Sequence, residues 1–97
     1  MEFEWDPIKA EQNLRKHKVS FSEAATVFRD RLGITLYDPV HSNGEERSVI
    51  FGISERRQLL MVVHTERGER IRIISARRLN PIERKVYEQE IKTRYRR

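Results

Sequence analysis

The side chains in this 97-residue chain that could do chemistry are arginine, lysine, histidine and glutamate near the predicted ends of helices and strands. Such a set is sufficient to cleave RNA without a metal ion, because the 2′-hydroxyl of the substrate is itself the nucleophile. A base must remove the proton of that hydroxyl, cations must stabilise the phosphorane, and an acid must protonate the leaving oxygen. Arginine suits the phosphate oxygens because its planar fork donates two parallel hydrogen bonds.

Several other kinds of site are excluded by the residue types. The chain has no cysteine, so it contains no disulfide and no thiolate metal site. The three histidines, His17, His41 and His64, are scattered without the spacing of metal ligands. No Gly-rich phosphate loop or Ser/His/Asp order is visible. We therefore expect neither a metal ion nor another cofactor.

The charge of the chain favours a polyanionic partner. The formal net charge is +5 and the pI is about 10, which suits RNA, DNA or an acidic protein. The first eleven residues hold four acids and one lysine, whereas arginines are concentrated in the second half. No apolar run approaches the ~20 residues of a membrane helix, and the acidic start is unlike a signal peptide. We expect one cytoplasmic domain over residues 1–97 with no membrane contact.

The stretch that organises the predicted fold is a pair of strands over residues 59–65 and 70–76. The first is apolar on both faces, which predicts a central strand. Gly68 allows the tight turn between them. On the second strand Arg70 and Arg72 share one face. That face is either a platform for phosphates or an edge that uses charge to avoid aggregation.

The first predicted helix, residues 7–17, has a thin apolar face that ends in polar groups. Leu14 and His17 share this face, with Asn13 beside them and Lys16 at the same end. This polar end is either functional or a solvated helix end with cations near the negative pole of the helix dipole.

The remaining elements complete an α+β fold in the order β-α-α-β-β-β-β-α. A first strand covers residues 2–5, and a second helix begins with the capping box of Ser20 and Glu23 and ends before Gly33. Strands follow over residues 32–37 and 48–54, separated by turn chemistry at residues 38–44. The last helix has Asn80 as its cap and frays past Ile91. We expect an antiparallel sheet with helices packed on it.

The chain resembles the BrnT family of toxins from bacterial type II toxin–antitoxin pairs. The resemblance rests on FEWDPIKAEQNLRKHKVSFSEAATVF (residues 3–28), DPVHSNGEER (38–47), VVHTERGERIRIISARR (62–78) and the later Glu83-Arg84. It implies a RelE-like fold and a ribonuclease that halts translation. It also implies a BrnA-like antitoxin with a ribbon-helix-helix part, and operator DNA bound only through the toxin–antitoxin complex.

The resemblance also implies site residues. Lys16 and His17 match a Lys-His pair of the family, although Lys18 stands where the family usually has glycine. Arg47 matches the arginine that opens a strand, and Arg77 matches the arginine that closes the last one. We expect Arg47 and Arg77 to hold phosphate, and His17 or Lys16 to take part in proton transfer.

Other charged residues are assigned less directly. Glu83 is either part of the catalytic set or only a helix cap. His64 lies inside an apolar strand and is interpreted as a core histidine. The residues expected to contact nucleic acid are arginines of the last strand and last helix: Arg70, Arg72, Arg78 and Arg84.

A second interpretation of the basic surface is binding without catalysis. In that case the protein would be a basic module that holds the antitoxin and acts as a co-repressor on DNA. Cleavage of RNA in the presence of EDTA separates the two interpretations.

Overall fold

The computed structural model describes residues 1–38 and 44–95. Residues 39–43, with His41 and most of the predicted turn, lie outside the described part. The described elements confirm the predicted order, with a short 3-10 turn added after the second helix. They are β1 (Glu2–Glu4), α1 (Pro7–His17), α2 (Phe21–Thr26), the 3-10 turn (Val27–Arg29), β2 (Ile34–Asp38), β3 (Arg47–Ile53), β4 (Leu59–Arg67), β5 (Arg70–Arg78) and α3 (Pro81–Tyr95).

The strands form one sheet in the order β1-β5-β4-β3-β2. The predicted antiparallel pairing is confirmed for β2 to β5. At one edge β1 adds in parallel to β5, so the sheet is mixed. The reason lies in side chains of both strands: Glu4 lies opposite Arg72 and forms a 3.0 Å ion pair with it. On the other face Phe3 packs against Phe28.

Helices cover both faces of the sheet. Helices α1 and α2 pack on one face, and α3 packs on the other. The two hydrophobic clusters that result have different buried members. The α1/α2 side contains Val19, Phe21, Ala24, Val27, Ile50, Leu60, Val62, Ile73 and Ala76, and the α3 side contains Ile34, Phe51, Leu79 and Tyr87.

The inward face of α1 is polar at its centre. The expectation that Leu14 faces the core is wrong, because its side chain is 48% exposed. Asn13 is buried instead. Its side chain donates to the carbonyls of Val19 and Ala76 and accepts from the Ala76 amide, at 2.9–3.1 Å. An asparagine that satisfies three backbone groups is stable where an apolar side chain would leave them unpaired.

Helix α3 is longer than the predicted one and continues past Ile91 to Tyr95. It is fixed to the rest of the fold by Tyr87, whose hydroxyl donates to Asp30 at 2.9 Å. The same carboxylate accepts from the amide of Ile53 at 2.8 Å. Burial, followed by the hydrogen bond to Asp30, raises the pKa of Tyr87 to about 12.

Replacing Asn13 with alanine should destabilise the fold by about 2–4 kcal/mol, because three buried backbone groups lose their partner. Urea unfolding measures the change. The matched control is Gln12→Ala, one residue away and exposed, which should shift stability by about 0.5 kcal/mol or less. Equal effects of the two substitutions would contradict the assigned role of Asn13.

Candidate functional site

An arginine–glutamate pair occupies the junction between β5 and α3. Arg77 Nη1 and Nη2 donate to Glu83 Oε1 and Oε2, each at 2.8 Å, so the guanidinium and the carboxylate meet fork to fork. Arg77 Nη2 also lies 3.4 Å from the sulfur of Met61. The side chain of Arg77 is 34% exposed and that of Glu83 is 18% exposed. The pair is therefore reachable from solvent on the α3 face of the sheet.

Glu83 also performs the capping role predicted for it. Its Oε1 accepts from the Asn80 amide at 2.9 Å, and Asn80 Oδ1 accepts from the Glu83 amide at 2.8 Å. The two interpretations of Glu83 are thus compatible, since one carboxylate caps α3 and binds Arg77. The hydrogen bond from Arg77 holds the pKa of Glu83 below its usual range, and the reciprocal bond raises the pKa of Arg77. Both groups are charged at neutral pH.

Arg78 and Arg84 each follow a member of this pair along the chain. Both are exposed and line a shallow cavity of about 330 Å³ at the end of the sheet. Arg57 and Gln58, from the turn between β3 and β4, line the same cavity. Arg57 and Gln58 are absent from the sequence-based set, since a charged turn is usually a solvated one. The structure thus places Arg57 and Gln58, which were not predicted, in one cavity with the predicted Arg78 and Arg84.

The turn that carries Arg57 is held by a buried carboxylate. Glu23 Oε2 accepts from Ser54 Oγ at 2.6 Å and from Gln58 Nε2 at 2.8 Å. Only half of the predicted capping box is observed: Ser20 Oγ accepts from the Glu23 amide at 3.0 Å, while the Glu23 side chain bonds to the turn. Glu23 therefore joins α2 to the basic end of the sheet.

Arg47 lies at the other end of the sheet. Phe51, Met61 and Arg77 lie in one row across β3, β4 and β5, and Arg47 precedes Phe51 by four residues, or two pleat repeats, along β3. At ~3.4 Å per residue and ~4.8 Å per strand, Arg47 is about 13 Å along and about 10 Å across from Arg77. Its Nε lies 3.8 Å from Glu45. The structure does not bring these two arginines to the same phosphate.

Lys16 and His17 lie on the opposite side of the sheet from the Arg77 side chain. Ala76 packs against α1 and α2, so the next residue, Arg77, projects from the other face. Asn13 contacts Ala76, and Lys16 and His17 follow within about one helical turn. Lys16 is exposed and His17 is half-buried. The backbone of β5 therefore separates the proposed proton-transfer groups from the arginine–glutamate pair.

Arg70 and Arg72 have partners at the β1 edge. Arg72 Nη1 lies 3.0 Å from Glu4, and Arg70 Nε lies 3.8 Å from Glu2. These pairs explain why a strand rich in β-branched residues has arginines at alternate positions. They also explain why acidic residues are concentrated at the start of the chain. Contact of Arg70 and Arg72 with nucleic acid stays a prediction.

His64 belongs to the interior of the fold. It is 5% exposed, packs edge-on against Phe28 with ring centroids 4.8 Å apart, and lies 3.2 Å from the Val62 carbonyl through Nδ1. Burial lowers the pKa of His64. A neutral, buried ring of this kind is typical of a core histidine.

Two further kinds of site are not found in residues 1–38 and 44–95. No group of three or more His, Asp or Glu side chains there is arranged to hold a metal ion. No helix there is long and apolar enough to cross a bilayer.

Comparison with known proteins identifies the family. The family model for BrnT, the ribonuclease toxin of type II toxin–antitoxin systems, matches residues 5–83. The chain belongs to the BrnT family. It is similar in structure to the Brucella abortus ribonuclease toxin BrnT, solved at 1.1 Å, with a TM-score of 0.61, 20% sequence identity, and coverage of 82% of this chain and 97% of that chain. At this identity the likeness shows a shared fold.

The family model confirms the resemblance to BrnT toxins that was inferred from the sequence. BrnT proteins are ribonuclease toxins of type II toxin–antitoxin systems, so an antitoxin partner is implied for this chain. No curated protein sequence matches it. The RelE-like label for the fold stays a prediction.

Replacing Glu83 with glutamine should cost about 1 kcal/mol of stability at pH 7, because a charged bidentate pair becomes a neutral contact. The folded pKa of Glu83 is lowered, so its contribution is present above the ordinary value of 4.5 and is lost as the pH falls through the lowered one. Urea unfolding at pH 7 and pH 3 should therefore show a difference between wild type and variant that shrinks in acid.

The control for this measurement is Glu88→Gln, an exposed carboxylate on the same helix. It should change stability by no more than about 0.5 kcal/mol at either pH. A loss for Glu83→Gln that is as large at pH 3 as at pH 7 would show that the ion pair is not its cause.

Proposed function

We propose that this protein is a metal-independent endoribonuclease that cleaves RNA and so inhibits translation. The observation that carries the proposal is the solvent-reachable Arg77–Glu83 pair, flanked by Arg78 and Arg84, in a member of a ribonuclease toxin family. A carboxylate beside an arginine fork supplies two of the groups that this chemistry needs: a proton acceptor and a cation for the phosphorane.

The proposed reaction uses the RNA's own hydroxyl. Glu83 accepts the 2′-hydroxyl proton, the 2′-oxygen attacks the adjacent phosphorus, and Arg77 stabilises the negative charge that develops on the phosphorane. The bond to the 5′-oxygen then breaks, leaving a 2′,3′-cyclic phosphate, and the departing oxygen takes up a proton. Arg77 turns from Glu83 to the phosphate oxygens as the substrate binds, because the carboxylate and the phosphate each offer two oxygens to the same guanidinium fork.

The remaining predicted residues receive roles consistent with their positions. Lys16 and His17, which the β5 backbone separates from the Arg77–Glu83 pair, do not reach the leaving oxygen of a phosphate held by Arg77 and are proposed to contact the RNA strand away from the scissile bond. Arg47 is too distant for the scissile phosphate and is proposed to hold another phosphate of the same strand. Arg70 and Arg72, already paired with acids, are proposed as peripheral contacts to RNA.

The family assignment also supports a proposal for the partners. The antitoxin is proposed to be BrnA-like, with a ribbon-helix-helix part that binds operator DNA, so the toxin reaches DNA only through the complex. The cytoplasm is the proposed location, since RNA, operator and antitoxin meet there.

Purified protein should cleave a labelled RNA in EDTA, and Arg77→Ala should lower the rate by about 100-fold or more, because one cation of the transition state is lost. Gel analysis of the products measures this, and a cyclic phosphate end identifies the mechanism. Growth arrest on expression should be lost in parallel. Arg77→Lys should restore only part of the activity, since an ammonium cannot donate as a fork.

The control variant is Arg31→Ala, an exposed arginine on the turn before β2, which should cleave RNA like the wild type. If folded Arg77→Ala protein cleaves RNA and arrests growth as the wild type does, the site assignment is wrong.

The second candidate function is a basic binding module without catalysis, acting as antitoxin partner and co-repressor. The distribution of the predicted catalytic cations favours it: Arg47 lies at the far end of the sheet, and Lys16 and His17 lie on the other face. The EDTA experiment separates the candidates, because retention of intact RNA supports the module and product formation supports the nuclease.

We expect a small protein with a ribbon-helix-helix pattern to be encoded directly downstream of this chain. Co-expression should abolish growth arrest, and the two proteins should co-purify. A downstream protein that neither binds this chain nor relieves its toxicity would contradict the proposed partner.

A further inference from the structure

Three arginines surround the shallow cavity at the end of the sheet. Arg57 comes from the β3–β4 turn, Arg78 from the end of β5 and Arg84 from the first turns of α3, so three separate elements converge there. Ile53 and Leu59 complete an apolar wall, and among the described residues no carboxylate lines the cavity of about 330 Å³.

This group differs from most arginines of the sheet. Within residues 1–38 and 44–95, most sheet arginines are within 4.0 Å of a carboxylate, namely Arg47, Arg67, Arg70, Arg72 and Arg77. In that same part of the chain, Arg57, Arg78 and Arg84 form no such ion pair. Three unneutralised guanidinium groups around one cavity raise the local positive potential and favour an anionic ligand.

Hydrogen bonds within the fold hold one wall of the cavity in place. Gln58 lines it and also donates to the buried Glu23, while the Ser54 hydroxyl accepts from the amides of Arg56 and Gln58 at 3.2 Å. Arg57 itself has a φ of 62°, a left-handed conformation that few non-glycine residues adopt. These hydrogen bonds hold the turn in one conformation. The entropy cost of ordering its backbone therefore arises during folding and not on binding.

We infer that this cavity is a binding subsite for the phosphodiester backbone of RNA next to the bond that is cleaved. This inference rests on the proposed function. Leu59, in the cavity wall, and Met61, beside Arg77, are alternate residues of β4 on one face, about 7 Å apart. A single RNA strand can thus place one phosphate at Arg77 and a neighbouring one among the three arginines.

The chemistry of the cavity favours nucleic acid over an acidic protein segment. Arginine forks bind phosphates and carboxylates alike, but the apolar wall of Ile53 and Leu59 gives a flat base or ribose a surface to pack on. An acidic protein would present single carboxylates spaced by its backbone, and it is the alternative occupant that the experiment tests.

The test measures binding of a fluorescein-labelled 2′-O-methyl RNA oligonucleotide, which cannot be cleaved because its nucleophile is blocked. Arg57→Gly should weaken binding about 5- to 10-fold at low salt, and the slope of log K against log salt should fall by about 0.7, the value for one lost single-strand phosphate contact. Arg78→Ala and Arg84→Ala should behave alike. Glycine suits the positive φ at position 57, so this variant keeps the turn.

The matched control is Arg56→Ala, which removes an exposed arginine of the same turn that does not line the cavity. Its affinity and salt slope should equal those of the wild type. Arg57→Asn provides a second variant compatible with a left-handed backbone. Unchanged binding by Arg57→Gly and Arg57→Asn would overturn the inference, as would equal losses for Arg56→Ala and Arg57→Gly.

Two further arms separate this inference from related ones. Poly-glutamate that competes as well as RNA of equal charge would overturn the RNA assignment in favour of an acidic protein ligand. If Arg57→Gly weakens binding but the wild type does not cleave unmodified RNA, the subsite stands and the nuclease proposal fails. If the wild type cleaves RNA but Arg57→Gly binds normally, the nuclease proposal stands and the subsite fails.

Discussion

The fork-to-fork contact between Arg77 and Glu83 is the constraint on which the proposed chemistry of this protein depends. The carboxylate closes the first turn of α3 and at the same time holds the guanidinium at the end of β5. In the unbound protein each group therefore neutralises the other. In the proposed reaction an RNA phosphate competes with Glu83 for Arg77, and the carboxylate that is released becomes free to accept a proton. Substrate binding and activation of the base are then one exchange of hydrogen bonds.

Much of the fold follows from the sequence because its signals are local. The capping residues Asn80 and Ser20 and the turn residue Gly68 each act within a few residues of their own position, and the structure has the corresponding elements. The position of β1 does not follow from such signals. Its three residues pair with a strand nearly seventy positions away, and the pairing depends on Glu4 meeting Arg72, which only the assembled sheet brings together.

The candidate site is predictable from the sequence only where its residues are close along the chain. Arg77 and Glu83 are six residues apart, and both are in the sequence-based set. Arg57 and Gln58 are missed, because nothing near them shows that a buried Glu23 fixes their turn beside α3. Arg47 and Arg77 are both predicted to hold phosphate, but strand register places the two at different ends of the sheet. Residue types indicate which reaction is possible, but the strand register decides which side chains come together in one site.

The contacts that position the two ends of this fold join segments made at very different times during translation. Asn13 binds Ala76, Glu4 binds Arg72 and Asp30 binds Tyr87, so each of these early residues has a partner 57–68 positions later in the chain. Residues up to Ala76 must therefore be synthesised before β1 and α1 can dock, and residues up to Tyr87 before α3 can dock. A nascent or prematurely terminated chain would lack the arginine–glutamate pair and its supports, so synthesis itself would delay the appearance of a toxic product until the last helix has emerged.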